Sequence, residues 1–213
     1  MGGRKVLTRA ESQARTRENL LDAAEELFFT RGYHATSIAT IAAAAGRTIG
    51  ALYSNFDNKE ALCLEVIQRG LAREVAKLMP ALMAAPEDAH ARMDVLTRWW
   101  ASSSANNPLL ALGAEYLISI LRDAHQRATT AQAIERFVAA GRVPLEDFLP
   151  EDIPTTGPAA EAAIRAIAAT GAGLAIGSAA EVITAEESAQ LLGDTVELWI
   201  RRVRDTLQPP SGD

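Results

Sequence analysis

Apolar positions recur every three to four residues through most of the chain, with no sustained strand-like alternation, so the pattern predicts helices throughout. Leu20, Ala24, Leu27 and Phe28, with Leu21 beside them, form one stripe over residues 16–31, and Gly32 follows as a helix stop. A second, short helix is predicted in TSIATIAAAAG. Thr36 or Ser37 starts it by accepting a backbone N–H, Ile38, Ile41, Ala42 and Ala45 share its inner face, and Gly46 ends it. A third begins almost at once in RTIGALYSNF, capped by Thr48. Its spacing turns Ile49, Leu52, Tyr53 and Phe56 inward and leaves Thr48, Ala51, Ser54 and Asn55, all small or polar, on the opposite face. After a break at residues 57–59, further helices are predicted over 60–79 (ended by Pro80), 86–104, 108–125, 129–141, 158–183 and 185–207. The proline-rich stretch 144–158 reads as a loop, and residues 209–213 as a disordered tail.

Two short helices joined by a glycine turn, with a preceding helix to pack on, form the helix-turn-helix pattern. A helix buried on one side and lined with short hydrogen-bonding groups on the other fits a DNA major groove, where methyls of Ala or Thr can touch a thymine methyl. Composition agrees with an all-α fold: of 213 residues 42 are Ala, the best helix former, and only 11 are aromatic. Charge sharpens the picture. Residues 1–59 carry 8 basic and 6 acidic side chains, whereas the rest carries 13 and 21, so a net −6 protein keeps a positive front. Arg4, Lys5 and Arg9, in a basic arm over residues 1–14, would add phosphate or minor-groove contacts if the arm engages DNA; the alternative is a solvated tail.

Other chemistries find no support in the pattern. A single cysteine, Cys63, excludes an intramolecular disulfide framework and a cysteine zinc cluster. His34, His90 and His125 are scattered, so no metal site is expected, nor any cofactor. Gly171, Gly173 and Gly177 miss the dinucleotide fingerprint by one residue and follow no strand. No serine-hydrolase elbow, phosphate loop or paired-carboxylate motif occurs, so no enzymatic activity is expected. No signal peptide is read at the start, and the longest uncharged runs fall short of a membrane span; a cytoplasmic protein without membrane contact is expected. Glu115 and Arg122, on a mostly apolar helix, are either buried polar groups or, as expected here, solvated ones.

The stretch TSIATIAAAAGRTIGALYSNFDNKEAL resembles the TetR (tetracycline-repressor) family of bacterial transcription regulators over about residues 15–70. The positions that carry the resemblance are Gly32, Tyr33, Thr36, Ile41, Ala42, Ala45, Gly46, Gly50, Leu52, Tyr53, Phe56, Lys59, Glu60 and Leu62. It implies that Tyr53 and Lys59 contact phosphates and that Thr48, Ile49, Gly50 and Ala51 lie nearest the bases. Two departures, Arg47-Thr48 where the family often has Val-Ser and Asn55 where it often has Tyr or His, would change which DNA sequence is bound. The expected DNA-binding set is Thr36, Ser37, Arg47, Thr48, Ile49, Gly50, Ala51, Tyr53, Ser54, Asn55 and Lys59.

The expected organisation is a helix-turn-helix domain over 15–75 and a larger helical regulatory and dimerisation domain over 76–208. The resemblance implies an effector among the regulatory helices, small and hydrophobic or amphipathic, for which Met83, Leu96, Trp99, Trp100, Tyr116, Ile120 and Phe137 are candidate walls. It also implies a homodimer through the last two long helices, with Ile164, Ile167, Gly171, Leu174, Ala175, Leu192, Val196 and Trp199 as candidate interface residues. The functional expectation is a ligand-responsive repressor binding a palindromic double-stranded operator and released when an effector tilts residues 60–79. The competing expectation is a helical small-molecule-binding or scaffold protein without DNA binding.

Overall fold

The computed structural model describes residues 8–104, 107–146 and 156–207, and among these the chain is helical, with no strand. The elements are α1 (Arg9–Arg31), α2 (Ile38–Ala44), α3 (Ile49–Tyr53), α4 (Lys59–Met83), α5 (Ala89–Ser104), α6 (Pro108–Ile120), α7 (Ala124–Glu146), α8 (Pro158–Ala179) and α9 (Ala185–Leu207). They group into two compact units: residues up to Leu71 with Ala111–Ala128, and Ala72–Leu110 with Thr129 onward. Arg4 and Lys5, most of the proline-rich stretch and the tail fall outside the described residues.

Helix α1 begins seven residues earlier than the apolar stripe suggests. Thr8 and Glu11 form a reciprocal capping box, with Glu11 N–H donating to Thr8 Oγ1 at 3.2 Å and Thr8 N–H to Glu11 Oε2 at 2.7 Å. Arg9 is therefore the first helical residue rather than part of an arm. Helix α4 runs through Pro80 instead of stopping there. Pro80 is exposed, as is Ala76, whose carbonyl would have received the missing N–H, while Leu78 and Leu82 are buried and hold the helix on its other side.

In the N-terminal unit, Leu20, Leu21, Ala24, Leu27 and Phe28 of α1 meet Ile41 and Ala42 of α2, Leu52 and Phe56, and Leu62, Cys63 and Val66 of α4. Leu112, Tyr116 and Ile120 of α6 complete this core. The expected boundary, with every residue after 75 in the regulatory domain, thus differs from the observed grouping. Cys63 has no exposed surface, and burial pushes its thiol well above the ordinary value of 9.0. A thiol reagent at neutral pH is expected to leave the native chain unlabelled and to react with one equivalent after unfolding. Rapid labelling without denaturant, followed by absorbance, would show that this core opens.

In the C-terminal unit, α5 and α8 pack on α9, and glycines set the spacing. A methyl on Gly171 would lie 3.3 Å from Trp100 Cη2, and one on Gly193 would lie 3.1 Å from Thr97 Cγ2. Trp100 is fixed by its indole N–H, which donates to the fully buried Ser188 Oγ at 2.8 Å. Trp99 donates to the Glu74 carbonyl at 3.1 Å. By length and composition α8 is apolar enough to cross a membrane, and its small residues Ala160, Ala163, Gly171 and Ala175 are buried inside this unit.

Candidate nucleic-acid interface

The turn between α2 and α3 follows from Gly46. Its φ of +64° lets Gly46 N–H reach Ala43 O at 3.0 Å and Arg47 N–H reach Ala42 O at 2.8 Å, the paired bonds of a Schellman end. Two residues later Thr48 starts α3, its Oγ1 accepting from Ala51 N–H at 3.1 Å. Ser37 starts α2 in the same way, with Thr40 N–H donating to its Oγ at 3.1 Å. Residues 37–56 contain no carboxylate, so no negative charge on this segment opposes a phosphate backbone.

Helix α3 presents a different face from the one its apolar spacing suggests. Leu52 and Phe56 are buried, but Ile49 is 46% and Tyr53 54% exposed. A five-residue helix has too little inner surface to bury four side chains, so the outer pair joins Thr48, Gly50 and Ser54 in water. Ala51 and Asn55 are half-buried. The Asn55 amide N–H donates to Ala51 O at 2.7 Å, which turns this predicted reader of adenine back onto its own helix.

Two further predicted DNA residues change place, whereas Arg47 does not. Thr36 is 1% exposed, its hydroxyl shared between Gly32 O at 2.8 Å and Leu27 O at 3.2 Å, so it fastens the α1–α2 connection instead of facing solvent. Lys59 is half-buried with its Nζ 3.9 Å from the centre of the Tyr33 ring, and burial lowers its pKa. Arg47 is exposed, its Nη2 3.2 Å from the Asn19 amide in the orientation that satisfies both groups.

Sequence reasoning missed the cluster that braces this segment. Tyr33, 3% exposed, donates its phenol to Glu60 Oε1 at 2.7 Å and its backbone N–H to Glu115 Oε2 at 2.6 Å. Burial first, and then Glu60, push the phenol above its ordinary range. Glu115 is thus bound within the N-terminal unit and is not the solvated group expected. A signal existed: it is the only charged residue of α6, and an isolated charge on an apolar helix needs a partner. On α1, Arg69 of α4 ties together Glu18, Asp22 and Glu25.

The expected effector walls scatter. Tyr116 and Ile120 belong to the N-terminal core, Met83 is 76% exposed, and Trp100 is committed to Ser188 and Gly171. Leu96 is half-buried on α5, and the side chain of Phe137 lies outside the described residues. Trp99 lines an open groove of about 540 Å³ with Glu74, Lys77, Ala81, Val95, Arg98, Ser102 and Ser103. Its charged rim differs from the hydrophobic pocket expected. Of the expected dimer residues, Gly171, Ala175 and Leu192 are buried within their own unit, while Ile164, Ile167, Leu174, Val196 and Trp199 are partly exposed. Ile176, Leu191 and Leu198 are the large apolar groups most exposed in the facing stretches of these two helices. Among the described residues no group of His, Cys, Asp and Glu is arranged to hold a metal.

The comparisons with known proteins centre on the same segment. Residues 20–66 match the family described as bacterial regulatory proteins, tetR family. The HTH-type transcriptional repressor KstR2 of Rhodococcus jostii (strain RHA1) is 38% identical over 80 residues, which are 38% of this chain and 39% of that repressor. The chain therefore spans about two fifths of that curated relative in the match. The fold reaches further. The solved multidrug binding protein EbrR, complexed with imidazole, superposes with a TM-score of 0.64 at 19% identity, covering 97% of this chain and all of that one. The fatty acid degradation regulator FadR from Bacillus halodurans superposes with a TM-score of 0.59 at 18% identity, covering 89% and 96%. The glycine turn, the capped α3 and its outward face all lie within the segment that matches the tetR family of bacterial regulatory proteins.

Proposed function

We propose that this chain is a ligand-responsive transcriptional repressor that binds a palindromic operator as a homodimer. The observation that carries the reading is the solvent-facing edge of α3: Thr48, Ile49, Gly50 and Tyr53 are open while Leu52 and Phe56 seal the opposite side. The dimer is proposed through α8 and α9, now with Ile176, Leu191 and Leu198 at its centre in place of the buried Gly171, Ala175 and Leu192. A two-fold protein would require an operator with two-fold related half-sites. Response to a small-molecule effector is supported by the likeness of the fold to the multidrug binding protein EbrR, solved in complex with imidazole. The proposed location is the cytoplasm, where such an operator would be met.

The test is fluorescence anisotropy with a duplex selected from a randomised library by the wild-type chain. Tyr53→Ala is expected to weaken binding to selected and scrambled duplexes alike, about tenfold, and to flatten the salt slope by about one if it removes one phosphate contact. Thr48→Ser retains the hydroxyl that caps α3 and deletes only the methyl. It is expected to leave helix content unchanged and to weaken the preference for thymine at one position of each half-site. Selection of no consensus by the wild-type chain would refute the DNA-binding reading and favour the scaffold alternative.

A further inference from the structure

Helix α3 is five residues long, too short to hold itself together by its own hydrogen bonds. Its pose therefore depends on what grips it from outside. Leu52 and Phe56 provide two apolar anchors along one line, which resist sliding better than they resist a roll about that line. A polar group on α1 supplies the missing constraint. Arg17 Nη1 donates to the carbonyl of Asn55, just past the end of α3, at 2.5 Å, while Nη2 bonds and pairs with Glu65 on α4. The same guanidinium carbon stands 4.2 Å from the centre of the Phe56 ring. One planar group thus joins α1, the segment leaving α3 and α4, and covers the aromatic anchor between them.

We infer that Arg17 is a positioning residue for DNA recognition, fixing the angle at which α3 presents Ile49 and Tyr53; the inference rests on the DNA-binding reading above. The geometry needs arginine in particular. A fork with separate N–H groups can satisfy a carbonyl and a carboxylate while its flat face lies on a ring, and a lysine ammonium offers no such face. The pairing also explains why a basic residue so near the proposed interface is not itself a phosphate ligand: its donors are already turned toward Asn55 and Glu65.

Arg17→Ala and Arg17→Lys are compared with the wild-type chain on its selected duplex and on a scrambled one, across a salt series, after circular dichroism confirms the helix content. Both variants are expected to lose about tenfold in affinity for the selected duplex and less than twofold for the scrambled one, with the salt slope on the scrambled duplex unchanged. Discrimination between sequences falls because α3 rolls, while the general attraction to DNA stays. An equal loss on both duplexes would reduce Arg17 to a structural role and overturn the inference. A slope lowered by about one in Arg17→Ala and restored in Arg17→Lys would make it a phosphate contact and overturn it too. Should Arg17→Ala fail to fold, Arg17→Lys, which keeps the charge and the aliphatic stem, still decides between these outcomes. Unchanged discrimination in a folded variant, with the wild-type chain still selecting a consensus, would sink this inference alone.

Discussion

Tyr116→Ala is expected to destabilise the N-terminal unit by about 3–5 kcal/mol, the usual loss when a large buried aromatic is truncated. Tyr116 is 1% exposed, packs edge-on to Tyr33 with ring centres 6.3 Å apart, and shares its core with Leu112 and Ile120. Since the whole stability of a domain is about 5–15 kcal/mol, a loss of this size removes about a fifth of it or more. Urea unfolding followed by circular dichroism gives the value. Tyr116→Phe, which keeps the ring, is expected to recover most of it. The opposite result would be an alanine variant as stable as the wild type that no longer responds to any effector. That would return Tyr116 to the candidate effector walls that the family resemblance implies.

A second large effect is expected at Gly32. Its φ of +81° and ψ of 168° fall in a region that side-chain-bearing residues rarely occupy, and strain there costs about 1–3 kcal/mol. A methyl would also stand 3.0 Å from Glu115 Oε1, displacing the carboxylate that accepts the Tyr33 N–H. Losing that partner leaves a buried donor unsatisfied, at a further cost of about 1–3 kcal/mol. Gly32→Ala is therefore expected to cost about 2–6 kcal/mol in urea unfolding. The two contributions separate in a double-mutant cycle with Glu115→Ala. With the carboxylate already gone, Gly32→Ala should retain only the backbone part of its cost. Full additivity would show that the alanine methyl never disturbs Glu115.

Much of the N-terminal unit was legible because its decisive interactions are local. The Gly46 turn, the Ser37 and Thr48 caps and the short helices between them are closed by bonds spanning three to five residues. Spacing in the chain therefore reports them directly. The capping box at Thr8 and Glu11 is of the same kind and was equally available. The candidate site was half legible. Thr48, Gly50 and Ser54 stand open as expected. Thr36, Asn55 and Lys59 do not, because each is drawn onto a neighbouring carbonyl or ring.

By itself, the sequence determined that the chain is built of helices, about where most of them begin, and that a glycine-turned pair of short helices lies near its front. Periodicity states that a residue will be buried; it does not name the surface that buries it. Only the tertiary structure decided that Tyr116 and Glu115, more than eighty residues on, brace Tyr33 and Gly32. Only it decided that Gly171 makes room for Trp100 within its own unit, and that Arg17 grips the end of α3. The physical reason is the same each time: these partners are joined by packing between helices, and no short-range spacing along the chain encodes which faces will meet.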